Sequence, residues 1–179
     1  LSILYDGKDG RRKPVGFLMA AAEGKTLNAT LHVNALRRIG WSRTELCNLA
    51  LAVLSMFERL HTRGILMADV NPRNIMVDQE DPSKVYFIDV DSYQVGTDAR
   101  NGYACLVSRQ EFLSNRLLDK DFGPGTVFRD MDDELYAITT LLFTIFLPEI
   151  FPYARRGGGN LEQLNRERRF VFPNGYTDN

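Results

Sequence analysis

The sequence M-A-D-V-N-P-R-N-I-M-V, residues 67–77, is followed after a polar turn by V-Y-F-I-D-V-D-S-Y, residues 85–93. Two apolar, β-branched runs flank the turn at residues 78–82, a pattern that predicts two short strands joined as a hairpin. The hairpin would bring Asn74, at the start of the first strand, beside Asp89, at the end of the second. Carboxylate and amide oxygens suit Mg²⁺, which commonly completes its coordination shell with water and substrate phosphate. This stretch therefore indicates phosphate chemistry.

Two further carboxylates belong to the same stretch. Asp69 lies five residues before Asn74, and Asp91 lies two residues after Asp89. The D-x4-N spacing alone is more typical of a surface loop with capping side chains, and Pro72 restricts the loop in either case. Its combination with the hairpin and the second acidic pair favours a site in which Asn74 and Asp89 ligate one cation.

The two loops resemble the catalytic and metal-binding loops of the protein-kinase-like superfamily, whose usual forms are H-R-D-x-x-x-x-N and D-F-G. Here the first loop reads M-A-D at residues 67–69 and continues to Asn74, while the second reads D-V-D at residues 89–91. The forms D-V-N-P-R-N and F-I-D-V-D-S-Y-Q also resemble a divergent bacterial branch of serine/threonine protein kinase-like proteins.

The resemblance implies an α+β, protein-kinase-like fold with a mainly α-helical C-terminal lobe and a small N-terminal β-hairpin, incomplete at both ends. Residues 1–23 would be the end of the small lobe and the hinge. Residues 24–179 would be a partial large lobe that forms a single globular body. The Gly-rich phosphate loop and the strand lysine of a complete member have no counterpart here, so we expect this chain alone to be inactive.

Local patterns predict the same elements independently. The apolar runs at residues 1–5 and 14–19 predict the hairpin. The S-x-x-E sequence at residues 42–45 predicts a capping box at the start of an amphipathic helix that Gly64 ends. The apolar run at residues 135–147 follows several acids and predicts a helix at the centre of the core.

Composition limits the class of protein. A chain of 179 residues with 44% hydrophobic content is long enough to bury one sizeable core. Its formal net charge of −1 predicts neither nucleic acid nor an anionic membrane as a partner. Cys47 and Cys105 do not indicate a disulfide framework. With no signal-peptide pattern and no run long enough to cross a bilayer, we expect a cytoplasmic protein.

The resemblance assigns roles to individual residues. Asp69 would orient the acceptor hydroxyl and take its proton, and Arg73 would act at the transferred phosphate, because Asn71 replaces the lysine of many Ser/Thr kinases. The implied cofactors are Mg²⁺ and ATP, and the implied partner is a protein substrate with Ser or Thr hydroxyls. The metal ligands would be Asn74, Asp89 and Asp91. The residues beside the nucleotide would be Met19, Ala20, Ala22 and Met76.

Several positions depart from the kinase pattern. Ala68 replaces the arginine that commonly pairs with a phosphorylated activation loop, so we expect no switching through that ion pair. Arg116 replaces the glutamate of the A-P-E motif, which removes an anchoring acid. Glu134 stands where an aspartate is expected at the central helix, and Asp133 would cap that helix instead. At the end of the preceding helix, His61 is interpreted as structural rather than catalytic.

Two alternatives to a protein kinase stay open. A pseudokinase that binds nucleotide or serves as a scaffold is favoured by the lost His, Arg and A-P-E residues. A small-molecule kinase of the aminoglycoside-phosphotransferase type is favoured by Asp91, which would add a carboxylate to the metal site. Self-association through the exposed N-terminal hairpin is a further expectation.

Overall fold

The structure, a computed structural model, describes residues 2–7, 13–98, 100–123 and 127–153, together with Gln163 and Glu167. The strands are β1 (Ser2–Asp6), β2 (Lys13–Leu18), β3 (Lys25–Thr26), β4 (Ile65–Leu66), β5 (Ile75–Val77), β6 (Val85–Phe87) and β7 (Gln94–Val95). The α-helices are α1 (Leu27–Thr30), α2 (Val33–Ile39), α3 (Arg43–His61) and α4 (Met131–Phe146). Short 3₁₀ turns cover Val90–Ser92, Gln110–Phe112 and Asn115–Leu117.

The strands form small antiparallel sheets, which together with the helices confirm the predicted α+β class. β1 pairs with β2 as the predicted hairpin, in a register that runs from Ser2 opposite Leu18 to Asp6 opposite Lys13. β5 lies between β3 and β6, and β4 pairs with β7. The pairing of β5 with β6 is the second predicted hairpin, which carries Asn74 and Asp89 at its ends.

The long helix α3 begins and ends close to its predicted limits. Ser42 and Glu45 form the capping box, in which the Glu45 carboxylate accepts the N–H of Ser42 at 2.7 Å. The helix ends at His61, just before Gly64, which has a left-handed φ of 68°. Its buried face consists of Leu46, Leu49, Ala50, Val53 and Phe57. This face packs on β6, where the rings of Phe57 and Phe87 meet edge to face at 4.7 Å.

Helix α4 passes through the same core. Four of its apolar side chains are buried with the α3 face and with Ile75 and Val77 of β5: Ala137, Ile138, Leu141 and Ile145. Asp130 is the N-cap residue, and Asp133 takes part in the cap as its reciprocal partner rather than as the cap itself. Burying each large apolar side chain contributes about 1.5–3 kcal/mol, so the core of α3, α4 and β5 holds the loops between them in place.

The link between β2 and the central sheet carries the predicted hinge. At its end Gly24 has a φ of 93°, and a Cβ atom there would lie 2.1 Å from the carbonyl oxygen of Val77. Only glycine therefore lets β3 approach β5 this closely. The division of the chain between residues 23 and 24 stays a prediction.

Much of the N-terminal hairpin is exposed. Every residue of β1 is exposed, and in β2 only Gly16 is partly covered. The exposed apolar side chains include Ile3, Val15, Phe17 and Leu18.

Among the described helices, none combines the length and apolar character needed to cross a membrane.

The close approach at Gly24 yields a paired test. Gly24→Ala and Gly40→Ala both place a side chain at positive φ, which costs about 1–2 kcal/mol. Gly40 has no atom within 4 Å of the added Cβ, whereas the clash at Gly24 should add about 1–3 kcal/mol. Urea unfolding should therefore show the larger loss for Gly24→Ala. Equal losses would mean that β3 does not lie this close to β5.

Candidate functional site

The loop between Met67 and Asn74 encloses the carboxylate of Asp69, which is 8% exposed. The side-chain amide of Asn74 donates to Oδ2 of Asp69 at 2.9 Å and to its carbonyl oxygen at 3.1 Å. Asn71 makes the same two contacts, at 3.0 and 2.9 Å. Two amides thus hold one carboxylate oxygen in a fixed orientation.

A buried acid from α4 lies directly beneath this loop. Oε1 of Glu134 accepts the N–H of Met67 at 2.8 Å, and Oε2 accepts the N–H of Ala68 at 2.9 Å. Burial raises the pKa of Glu134, although the hydrogen bonds from both amides and from His61 oppose that effect. Ala68 has a left-handed φ of 61°, a strained conformation for a non-glycine residue. The carboxylate therefore holds a backbone bend immediately before Asp69.

His61 is a structural neighbour of the same acid. Its Nε2 lies 3.4 Å from Oε1 of Glu134 at the last turn of α3, and its ring centroid lies 6.0 Å from that of Phe57. These contacts connect α3 to α4. They are the structural contacts that the sequence interpretation assigned to His61 in place of catalysis.

The second acidic loop is joined to the first through Asn74. The Asn74 carbonyl oxygen accepts the N–H of Ile88 at 2.9 Å. Asp89 directly follows Ile88, so this bond holds the two loops side by side. Asp89 also has a left-handed φ of 61°, and it begins the 3₁₀ turn Val90–Ser92. The structure therefore brings Asn74 and Asp89 together as the hairpin pattern predicted.

Asp89 and Asp91 carry interacting carboxyl groups. Asp89 is exposed, but its remaining desolvation raises its pKa, and Asp91 raises it further through its charge and a side-chain hydrogen bond. The charge of Asp69 acts in the same direction. Acids that interact in this way repel one another unless a proton or a cation lies between them.

The donor set suits a hard cation such as Mg²⁺. The nitrogen of the Asn74 amide is committed to Asp69, and its Oδ1 accepts no hydrogen bond from any described residue, so that oxygen is available with the Asp89 and Asp91 carboxylates. Within the described part of the chain, no three His, Cys, Asp or Glu side chains are grouped to hold a metal. A cation here would therefore complete its shell with water and phosphate oxygens.

The predicted nucleotide residues lie in the link before β3 and on β5. Met19 and Ala20 are exposed in the link before β3, and Ala22 is partly covered. Met76 is partly buried on β5, where it pairs with Thr26 of β3. The structure thus brings Met76 beside the strand that follows the link. It leaves Met19 and Ala20 open to solvent.

Arg73 is exposed in the loop between Asp69 and Asn74. Its backbone N–H donates to Oδ1 of Asn71 at 2.9 Å, so the base of the side chain has a fixed position. The guanidinium can extend to a phosphate group, where a fork of N–H donors binds well.

The later segment is anchored by charges of reversed sign. Arg116, which replaces an expected glutamate, binds Asp133 and lies 2.7 Å from Oδ2 of Asp130. Ser114 adds a hydrogen bond to Asp133 at 2.5 Å. The acids at the start of α4 therefore anchor this segment in place of the missing glutamate.

Ala68 makes an apolar contact where a phosphate-binding arginine was expected. It is buried in a cluster with Leu66 and Cys105. A second connection holds the segment farther along, where the side chain of Gln94 bonds both backbone groups of Arg129 at 2.7 and 2.8 Å. These contacts require no phosphorylated residue.

No protein-family model matches the chain, and no curated protein matches its sequence.

The sequence patterns did not predict the roles of two site residues, Asn71 and Glu134. Asn71 was interpreted only as the loss of a lysine, although an amide two residues after an aspartate is well placed to bond that aspartate's own groups. Glu134 was noted as a substitution without a role. The sequence feature that indicates its role is an acid in the first turn of an almost wholly apolar helix. A buried acid in such a helix requires hydrogen-bond partners.

Removing the Glu134 acceptors should loosen the loop. Glu134→Leu keeps the volume but leaves two buried N–H groups without acceptors, at about 1–3 kcal/mol each, partly offset by relief of the buried charge. We expect a net loss of about 2 kcal/mol or more in urea unfolding and faster hydrogen exchange at Met67 and Ala68. Glu58→Leu, at an exposed site on α3, is the control. Unchanged exchange at both amides would contradict this role.

The raised pKa of Glu134 also predicts a pH dependence. An acid whose folded-state pKa is raised contributes its full stability below the unfolded value, near 4.5, and loses it as the pH rises through the folded value. The stability of the wild type relative to Glu134→Leu should therefore fall over the pH range above that unfolded value. A difference that grows over this range in chemical unfolding would show that the pKa is lowered instead.

Proposed function

We propose that this chain is the catalytic-loop and metal-binding lobe of a protein-kinase-like phosphotransferase, which transfers phosphate from ATP to Ser or Thr hydroxyls of a protein. The observation that carries the proposal is the dual attachment of Asn74. Its side chain fixes Asp69, while its carbonyl oxygen fixes the strand that leads into Asp89. One residue thereby couples a proton-accepting carboxylate to a cation-binding one.

Each residue has a role in the proposed reaction. Asp69 orients the acceptor hydroxyl and takes its proton, a contribution of general-base type. Asn74, Asp89 and Asp91 supply oxygens for Mg²⁺, which when bound neutralises charge on the phosphates. Arg73 stabilises the charge of the transferred phosphoryl group. Met76 would lie against the adenine ring of a bound nucleotide, and the link at Met19, Ala20 and Ala22 would border it.

The kinase-like fold is part of the same proposal. Its support is the order of elements, in which a hairpin and link precede a long helix, an acidic loop, a second hairpin with acids at its end, and a buried helix. The buried acid of that last helix holds the first acidic loop from below. A fold of this kind would place the acceptor above Asp69 and the nucleotide along β5.

One observation favours a second candidate. Asp91 lies within hydrogen-bonding reach of Asp89, so a second ligand carboxylate is available, as in small-molecule kinases of the aminoglycoside-phosphotransferase type. Transfer to a small hydroxylated metabolite, with none to protein, would favour that function.

Two substitutions separate the roles of the acids in the full protein. Asp69→Asn should retain Mg-ATP binding but lower transfer about 10²–10⁴-fold, because the carboxylate acts on the proton in the transition state. Asp89→Asn should weaken Mg-dependent nucleotide binding and transfer together. Calorimetric titration beside a phosphate-transfer assay measures both, with the exposed Asp132→Asn as control.

Other outcomes of the same experiment are informative. Wild-type protein that binds Mg-ATP but transfers nothing would indicate a pseudokinase, the binding or scaffold function. Unchanged transfer in both variants would refute the roles given to Asp69 and Asp89.

The exposed hairpin is proposed to mediate self-association, since an unpaired strand edge with apolar side chains invites pairing with another copy. Phe17→Lys should reduce the average mass seen by light scattering at high concentration. Leu51→Lys is a matched control, because Leu51 is 65% exposed on α3 and Phe17 is 45% exposed on the hairpin. A wild type that is strictly monomeric at high concentration would end this proposal.

A further inference from the structure

Asn71 is the most enclosed polar residue of the loop between Asp69 and Asn74, with 0% exposure. Its Nδ2 donates to Oδ2 of Asp69 at 3.0 Å and to the Asp69 carbonyl oxygen at 2.9 Å. Its Oδ1 accepts the N–H of Arg73 at 2.9 Å. Both kinds of amide group are therefore paired, as a buried amide requires.

The Asn71 and Asn74 amides converge on the same oxygen of Asp69. Asn74 donates to Oδ2 at 2.9 Å, beside the bond from Asn71. The other oxygen, Oδ1, accepts no hydrogen bond from any residue that the structure describes. A rotation that exchanged the two oxygens would break both amide contacts, so the carboxylate is held by one edge and its second oxygen stays open.

Resting on the function proposed above, we propose that Asn71 is a positioning residue that, with Asn74, holds Oδ2 so that Oδ1 of Asp69 receives the acceptor's proton. In the transfer step, the acceptor O–H bond breaks and its proton passes to Oδ1. The acceptor oxygen bonds to the γ-phosphorus of ATP, and the bond from that phosphorus to the β,γ-bridging oxygen breaks. ADP leaves with the electron pair of the broken bond, and Asp69 becomes a carboxylic acid.

Asn71 fixes Arg73 through a different atom. The bond from the Arg73 N–H goes to Oδ1 of Asn71, while the contacts with Asp69 use Nδ2. Asn71→Asp is nearly isosteric, keeps an acceptor for Arg73, and replaces the donating NH₂ group by an oxygen that repels Oδ2 of Asp69. This variant therefore removes the hold on Asp69 while it preserves the acceptor for the Arg73 backbone.

The kinetic test compares four forms of the full protein: wild type, Asn71→Asp, Asp69→Asn and the double variant. Asn71→Asp should lower kcat about tenfold or more, with the KM for Mg-ATP changed less than about twofold. In the Asp69→Asn background it should change residual transfer less than about twofold, because the carboxylate it acts through is absent. Asn48→Asp, at an exposed position of α3, is the control. Equal losses of transfer in both backgrounds would overturn the positioning role.

Thermal unfolding gives a readout that does not need activity. Asn71→Asp should lower Tm more in the wild type than in the Asp69→Ala background, where the carboxylate is gone and only the carbonyl oxygen of residue 69 repels the new oxygen. Equal shifts would overturn the hold on Oδ2. A wild type that transfers no phosphate would refute the proposed function and the proton-accepting role of Asp69. Unequal Tm shifts would still support the contact between Asn71 and Asp69 in that case.

Discussion

The site depends on the hydrogen bonds of the Glu134 carboxylate to the backbone of the loop that carries Asp69. A buried carboxylate is strongly disfavoured unless hydrogen bonds replace its water, and here the replacements are the N–H groups of Met67 and Ala68. The acid and the loop therefore satisfy each other. Because Glu134 lies on a helix that crosses the core, the position of the loop is set by the core rather than by the loop's own residues.

The same acid acts on more distant groups. His61 brings the end of α3 to it, and the hydroxyl of Tyr93 is buried nearby without a hydrogen-bond partner among the described residues. Burial and the charges of Glu134 and Asp89 raise the pKa of Tyr93, which keeps it a neutral donor. The second acidic loop thus lies near Glu134, the residue that holds the first loop. The two loops are therefore coupled through the interior as well as through Asn74.

Local patterns in the sequence predicted the hairpins, the capping box and the buried helix, because each depends on residues close along the chain. The positions of the strand ends likewise predicted that Asn74 would lie beside Asp89. What could not be predicted was how distant side chains pair. Arg116 gains its acids from the start of α4, and no local pattern marks a contact of that kind. Asn71 was missed because its role depends on burial, which a single loop residue does not reveal.

Ala68 limits how this protein can change over evolution. Its backbone has a left-handed φ, and its methyl group is packed with Leu66 and Cys105. A long cation introduced at this position would have to displace the Cys105 segment before any phosphate existed to bind it, so the intermediate would lose packing without a compensating ion pair. We therefore expect the effects of substitutions at positions 68 and 105 on stability to be non-additive.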